Sequence, residues 1–146
     1  MIRTAQTDDF PAILELNTES VHFLSPLNKK RLEDLHRQSA YHKVIEEAGQ
    51  VVAFLLAFRE GTHYDSPNYA WFTQRYDSFL YIDRAVVHKD SRRKGYGALL
   101  YDDLIGFAGE NGVATLLCEI DIAPPNPQSM LFHERYGFGE VGTQWL

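Results

Sequence analysis

The stretch from Phe79 to Asn111 constrains this chain more than any other. It reads as an apolar strand over Phe79 to Val87, a short charged turn, the loop Arg92, Arg93, Lys94, Gly95, Tyr96, Gly97, Ala98, and then a helix. A strand that stops at a basic, glycine-bearing turn and restarts as a helix is built to receive phosphate. The first N–H groups of a helix have no partners within it, and the macrodipole puts partial positive charge at the same end. Gly95 and Gly97 lack a Cβ, so a polyphosphate can come close to the backbone there.

Two common phosphate motifs are absent. A Walker loop needs Gly, four residues and Gly-Lys-Ser/Thr, and no such run exists. The dinucleotide fingerprint needs a third small residue where this chain has Leu100, so a nucleotide-binding switch is the poorest of the functional classes considered. What remains is Arg-x-x-Gly-x-Gly between a strand and a helix, which by itself is also compatible with an ordinary tight turn.

With 146 residues the chain fits one domain, residues 1–146, and a domain of that size buries roughly 70% of its unfolded surface. The net charge of −6 disfavours nucleic acid and anionic lipid as partners. Against that background Lys89, Arg92, Arg93 and Lys94 stand out as a local basic patch. One cysteine, Cys118, excludes an internal disulfide and gives no metal-ligand spacing. No run is apolar enough for a leader or long enough to cross a bilayer, so a soluble, cytoplasmic protein is expected.

In chain order, Ile2 to Ala5 is a short strand, and Thr7-Asp8-Asp9 precedes a helix carrying Phe10, Ile13, Leu14, Leu16 and Asn17. After a break over Ser20 to Pro26, Asn28 caps a second helix reaching Ser39. Tyr41 to Glu47 and Val51 to Phe58 form a hairpin across Ala48-Gly49-Gln50. Arg59 to Ser78 reads as a loop of about twenty residues holding Tyr64, Tyr69, Trp71, Phe72 and Tyr76. These rings either pack the loop onto the domain or wall a substrate pocket. The helix after the phosphate loop has the stripe Leu100, Leu104, Phe107, Ala108 and stops at Asn111-Gly112. Ala114 to Ile122 is then a strand parallel to Phe79–Val87. Prolines end it, Asn126-Pro127 starts a helix running to about Tyr136, and Phe138 to Trp145 reads as a last strand.

Two motifs in this order carry a resemblance over nearly the whole chain. The Arg-x-x-Gly-x-Gly loop resembles the coenzyme A pyrophosphate loop of the GNAT superfamily of N-acetyltransferases. Asn126-Pro-Gln-Ser-Met-Leu-Phe-His-Glu-Arg-Tyr-Gly-Phe138 is similar to that family's Asn-x-x-Ala-x-x-hydrophobic-Tyr-Glu-x-x-Gly-Phe segment, without a gap. The resemblance implies an α/β fold with a mixed antiparallel and parallel sheet flanked by helices, and acetyl-CoA as cofactor. It implies that amides at Val86 and Val87 pair with the pantetheine arm and that Arg92, Arg93, Lys94, Gly95, Tyr96, Gly97 and Ala98 hold the pyrophosphate. Asn126 and Ser129 fall where the family contacts the lower pantetheine, although capping the helix could be their whole role.

His133 stands where the family usually has the tyrosine that protonates the departing thiolate. A thiol has a pKa of about 8.5 and an imidazole about 6.5, so a histidine acid would carry its proton less often at neutral pH. The alternative is a histidine with no chemical part; Tyr136 and Tyr101 are more distant hydroxyls. An alkyl amine with pKa about 10.4 is protonated in all but about one molecule in 2,500 at pH 7, so a base is required. Glu119 is the first candidate, where some bacterial protein N-acetyltransferases of the superfamily place one. Asp83 is the second, sharing by alternation a face with Tyr81 and Ala85; either carboxylate could instead pair with Arg84. Cys118 reads as a small buried hydrophobe.

The expected activity is direct acetyl transfer from acetyl-CoA to a small-molecule or peptide amine. The alternative is a CoA-binding regulatory module that has lost turnover, which the missing tyrosine favours. The family usually has one further strand beyond Trp145, where this sequence stops at Leu146. The sequence is shortened, the fold dispenses with that strand, or a partner chain supplies it, and an unpaired sheet edge would favour a homodimer.

Overall fold

In the computed structural model, residues 1–20, 24–122 and 126–145 are described. The expected break over 20–26 therefore falls partly, and the proline turn at 123–125 wholly, outside the described residues. The elements are β1 (Ile2–Thr4), α1 (Phe10–Glu19), α2 (Lys29–Gln38), β2 (Tyr41–Glu47), β3 (Gln50–Arg59), α3 (Pro67–Thr73), β4 (Leu80–Val87), α4 (Tyr96–Glu110), β5 (Leu116–Leu117) and α5 (Pro127–Arg135). The sheet has the order β1-β2-β3-β4-β5. Neighbours from β1 to β4 are antiparallel, and β5 runs parallel to β4.

Local chemistry sets most of these boundaries. Ala48 and Gly49 both have positive φ, 52° and 79°, the geometry a two-residue hairpin turn requires. The Asn28 side chain accepts from the Arg31 amide at 2.7 Å and starts α2. Ser66 does the same for α3 from the Tyr69 amide, with Pro67 at the first helical position. That helix lies inside the stretch expected to be a long loop, and its Ser-Pro start was present in the sequence.

β3 is the centre of the sheet: every residue from Ala53 to Phe58 is 0% exposed, as expected of a strand covered on both faces. On one face Leu55, Ala57 and Ile82 pack against Leu100, Leu104 and Ala108 of α4. On the other, Val44, Phe54 and Val86 meet Phe10, Ile13, Leu16 and Leu32 of α1 and α2. A third cluster places Tyr64, Tyr69 and Phe72 over Leu56, Phe58 and Tyr81. The aromatic stretch thus divides its labour: Tyr69 and Phe72 are core, while Tyr64 also borders the groove described below.

Two strand expectations are corrected. The strand over Ala114 to Ile122 pairs only at Leu80↔Leu116 and Tyr81↔Leu117, after which the chains diverge. Residues 138–145 form no strand. A segment becomes a strand only where a neighbouring edge completes its ladder, and among the described residues the sheet ends at β5. Among the described residues no helix is long and apolar enough to cross a membrane.

Candidate active site

The divergence of β4 and β5 opens a groove of about 720 Å³. One wall is β4 from Ile82 to Val87, and the other is residues 119–121 with the starts of α4 and α5. Beyond Tyr81, no described strand pairs with the β5-facing edge of β4, so backbone donors and acceptors line the groove.

A β-bulge lies at the point of divergence. Leu56 pairs with Arg84 and Ala57 with Ile82, so Asp83 is an inserted residue in β4. The insertion breaks the alternation expected for Tyr81, Asp83 and Ala85: Ala85 pairs with Leu55, whose side chain lies in the α4-facing core. Asp83 instead turns to Tyr64 and Arg84. Bulges beside active sites commonly re-aim a side chain in this way.

At one end of the groove the loop into α4 is shaped by two left-handed residues, Arg93 at φ 71° and Gly95 at φ 81°. Gly95 is the N-cap, no side chain caps the helix, and its first turn carries no acidic residue, which leaves the first amides available to an anion. Gly97 borders the groove, yet a Cβ there would meet the Phe132 ring at an ordinary 3.5 Å. The protein's own packing therefore does not demand glycine at 97, whereas the backbone demands it at 95.

Val86, Val87, Arg92, Asn126 and Ser129 also line the groove. Lys94 and Tyr96 point elsewhere. The Lys94 Nζ bonds the Glu47 carboxylate at 3.1 Å and the Tyr96 hydroxyl donates to the same group. The Ala98 carbonyl accepts from the Tyr136 hydroxyl at 3.2 Å. Asn126 accepts from the Ser129 amide at 3.4 Å, so it caps α5 as well as lining the groove.

The two candidate carboxylates have opposite surroundings. Both Asp83 oxygens are committed, one to the Tyr64 hydroxyl at 2.6 Å and one to Arg84 Nε at 2.7 Å. Arg84 is itself tied to Asn17 Oδ1 at 3.0 Å and to the Ser25 carbonyl at 2.8 Å. Of the alternatives left open by the sequence, pairing with Arg84 is the one Asp83 adopts. Among the described residues no cation pairs with Glu119. It is exposed along the groove and accepts from the Tyr81 hydroxyl at 2.6 Å. Desolvation by the groove walls, with the Asp83 charge adding to it, raises its pKa to about 7, against the opposing pull of the hydrogen bond from Tyr81. A carboxyl poised near neutrality in a groove is suited to accepting a proton.

His133 is 8% exposed. Its Nδ1 lies 2.7 Å from the Ser129 carbonyl, which can only accept, so Nδ1 carries the proton and Nε2 accepts from the Tyr101 hydroxyl at 2.6 Å. Burial lowers its pKa below the ordinary imidazole value, making a protonated, acidic form scarcer still. Cys118 packs in the α4-facing core; burial and the neighbouring Glu119 push its thiol up to about 12, as suits a small hydrophobe rather than a nucleophile.

Sequence reasoning missed the partner of Glu119. Tyr81 pairs with Leu117 in the parallel register, two residues before Glu119, and that register was the one signal that could have pointed to it.

No curated protein matches the chain. Solved structures do match in fold. The aminoglycoside 6′-N-acetyltransferase of Acinetobacter haemolyticus is 17% identical with a TM-score of 0.75, over 100% of this chain and 95% of that one. Ribosomal-protein-alanine N-acetyltransferase of Brucella melitensis gives 18% and 0.74, over 100% and 96%. The Ard1 protein of Thermoplasma volcanium gives 21% and 0.79, over 97% and 84%. The model of the acetyltransferase (GNAT) family matches residues 2–138, which include the opened strand pair, the glycine loop and α5. The chain therefore belongs to the GNAT family of acetyltransferases, which use acetyl-CoA as the acyl donor.

Proposed function

We propose that the groove binds acetyl-CoA along β4 and the start of α4, and that Glu119 accepts the proton of a primary amine entering past Tyr64 and Asn68. The observation that carries this reading is the Glu119 carboxyl, fixed by Tyr81 and poised at about 7 at the mouth of the opened strand pair. The residues present fit the donor. Uncapped amides at the start of α4, the Arg92 side chain and the bare Gly97 form a cradle for a diphosphate, and a Cβ at position 97 would take up space between that cradle and the Phe132 ring. When bound, acetyl-CoA supplies a thioester carbonyl open to attack.

The chain's own residues then divide the work. Arg92, Arg93, Gly95, Gly97 and Ala98 hold the diphosphate through amides and charge, with Lys94 and Tyr96 bracing the loop through Glu47. The free edge of β4 at Val86 and Val87 orients the pantetheine arm, with Asn126 and Ser129 beneath it. Glu119 Oε takes the ammonium proton, which makes the nitrogen a nucleophile. Asp83 serves by holding Arg84 and Tyr64 in place.

Glu119 and Asp121 border the acceptor half, where Asp65 is already paired with Arg31, and the two carboxylates suit a small cationic amine or a peptide N-terminus. The two neighbours named for their acceptors act on an aminoglycoside and on a ribosomal-protein alanine, one of each kind. The reading extends to a cytoplasmic location and to a homodimer formed along the outer edge of β5, which sizing of the purified protein tests.

The decisive experiment measures thiol release from acetyl-CoA across a panel of small amines and peptide N-termini, with wild type and Glu119→Gln. Amine-dependent release that Glu119→Gln abolishes supports the proposal. The second reading, a CoA-binding module without turnover, is favoured by the neutral His133; CoA uptake by calorimetry with no release for any amine would establish it.

A further inference from the structure

Acyl transfer needs a proton for the leaving sulfur as well as a base for the amine. We propose that the Tyr101 hydroxyl, supplied by α4, protonates the departing thiolate, and that His133 is a positioning residue holding that hydroxyl at the groove. The proposal rests on the reading of the groove as an acetyl-CoA site.

The geometry selects Tyr101 by elimination. Two tyrosines line the groove, Tyr64 and Tyr101. The Tyr64 hydroxyl is spent on Asp83, at the acceptor end. The Tyr136 hydroxyl donates to the Ala98 carbonyl and to Asp102 at 2.9 Å, away from the groove. Tyr101 sits with Gly97 and Leu100 on the α4 wall, and its ring packs against Phe132 at 4.9 Å and His133 at 5.2 Å. Its only hydrogen-bond partner among the described residues is His133 Nε2, a neutral acceptor. That bond fixes the oxygen beside the groove, and because the acceptor is a neutral nitrogen and not a carboxylate, the proton can leave it for a stronger, anionic acceptor such as a thiolate.

Chemistry favours the phenol over the imidazole. Ordinary pKa values are about 10 for phenol and about 6.5 for imidazole, so at neutral pH the phenol always holds its proton. Burial widens that gap from both sides, with the Cys118, Glu119 and Tyr136 groups facing Tyr101 reinforcing its neutral form. Full transfer to a free thiolate of pKa about 8.5 would run uphill, so the hydroxyl acts as charge builds on sulfur. Once Glu119 has taken one proton from the ammonium, the nitrogen lone pair forms the C–N bond. The C–S bonding pair leaves on sulfur, and the Tyr101 proton passes to it. The nitrogen's surplus proton returns through water to the phenolate, and Glu119 releases its own to solvent.

The test compares binding of CoA and of desulfo-CoA, which lacks the sulfur, at about pH 9 by calorimetry. One hydrogen bond to a thiolate should make CoA bind wild type about tenfold tighter than desulfo-CoA, and Tyr101→Phe should bring that ratio to about one. In parallel Tyr101→Phe should lower kcat about 100-fold with the amine KM nearly unchanged. His133→Ala should fall between wild type and Tyr101→Phe, and His133→Gln, which keeps an acceptor, should recover most of the loss. A measurement free of mutation follows the His133 Nε2 nitrogen by NMR in wild type: CoA at about pH 9 should remove its hydrogen-bonded signature, and desulfo-CoA should not. An equal affinity of wild type for both ligands, an unmoved Nε2 resonance, or a Tyr101→Phe protein with wild-type kcat would overturn the assignment. Failure of both CoA and desulfo-CoA to bind would instead overturn the donor site on which it rests.

Discussion

The two halves of the groove are made of different materials. The donor half is backbone: a free strand edge, left-handed turns at Arg93 and Gly95, and the uncapped start of α4. The acceptor half is side chains, with Tyr64, Asp83 and Arg84 buried together and Glu119 held by Tyr81. A site made mostly of backbone tolerates sequence change at most positions other than its glycines and the arginine at its rim. A site made of buried charge depends on each partner, because removing one strands another.

The largest expected effect lies in the acceptor half. Glu119→Gln keeps the Tyr81 contact and removes the base, so kcat/KM should fall about 10²- to 10⁴-fold with CoA affinity unchanged. The wild-type rate should rise with pH along a limb near 7, because only the ionised carboxyl accepts a proton. Stability runs the other way. A carboxyl whose folded pKa lies above its unfolded value supports the fold fully below the unfolded pKa, and that support fades as pH rises through about 7. Thermal scans should therefore show wild type losing ground to Glu119→Gln between pH 4.5 and 7. A variant with parallel pH curves for both rate and melting would break the contrast between the halves.

Next comes the buried pair. Arg84→Ala leaves Asp83, 8% exposed, without its cation and should cost about 3–5 kcal/mol, or about 10 °C in melting temperature. Arg84→Met combined with Asp83→Asn should recover much of it, since replacing both partners avoids the stranded charge. A loss below about 1 kcal/mol for Arg84→Ala would show that the acceptor wall stands without its ion pair.

The glycines separate fold from function within the donor half. Gly95→Ala forces a side chain to φ 81° and should cost about 1–2 kcal/mol along with donor affinity. Gly97→Ala meets no strain and adds a better helix former, so stability should hold or rise by up to about 1 kcal/mol while CoA binds more weakly. Calorimetry beside thermal scans distinguishes the two. If Gly97→Ala bound CoA as wild type does, the cradle would have to lie elsewhere.

What the sequence disclosed follows the same divide. The Ala48-Gly49 hairpin, the Asn28 and Asn126 caps and the glycine loop depend on neighbours a few residues away, and each was legible. Arg84 meets Asn17 across 67 residues and Tyr81 meets Glu119 across 38, contacts that no local pattern announces. The inserted Asp83 shifted the face of every residue after it, and a bulge leaves no mark on apolar alternation. Residues 138–145 read as a last strand, but pairing is a property of two segments and none of the described strands takes them as a partner. Glu119 and Asp83 were both named as candidates; only their partners told them apart.

The smallest effect concerns the exposed contact at the rim of the donor half. Glu47, at the end of β2, draws both the Lys94 ammonium and the Tyr96 hydroxyl toward itself and so away from the groove. In Glu47→Gln the carboxylate is gone, the Lys94 pKa falls back toward its ordinary value, and the ammonium becomes free to turn to a bound diphosphate. CoA affinity should then rise by less than about threefold, and the gain should vanish at high salt, because an exposed charge contact is screened. Melting temperature should stay within about 1 °C of wild type. If affinity fell instead, Glu47 would be shaping the loop through Lys94 and Tyr96, and the donor half would depend on side chains after all.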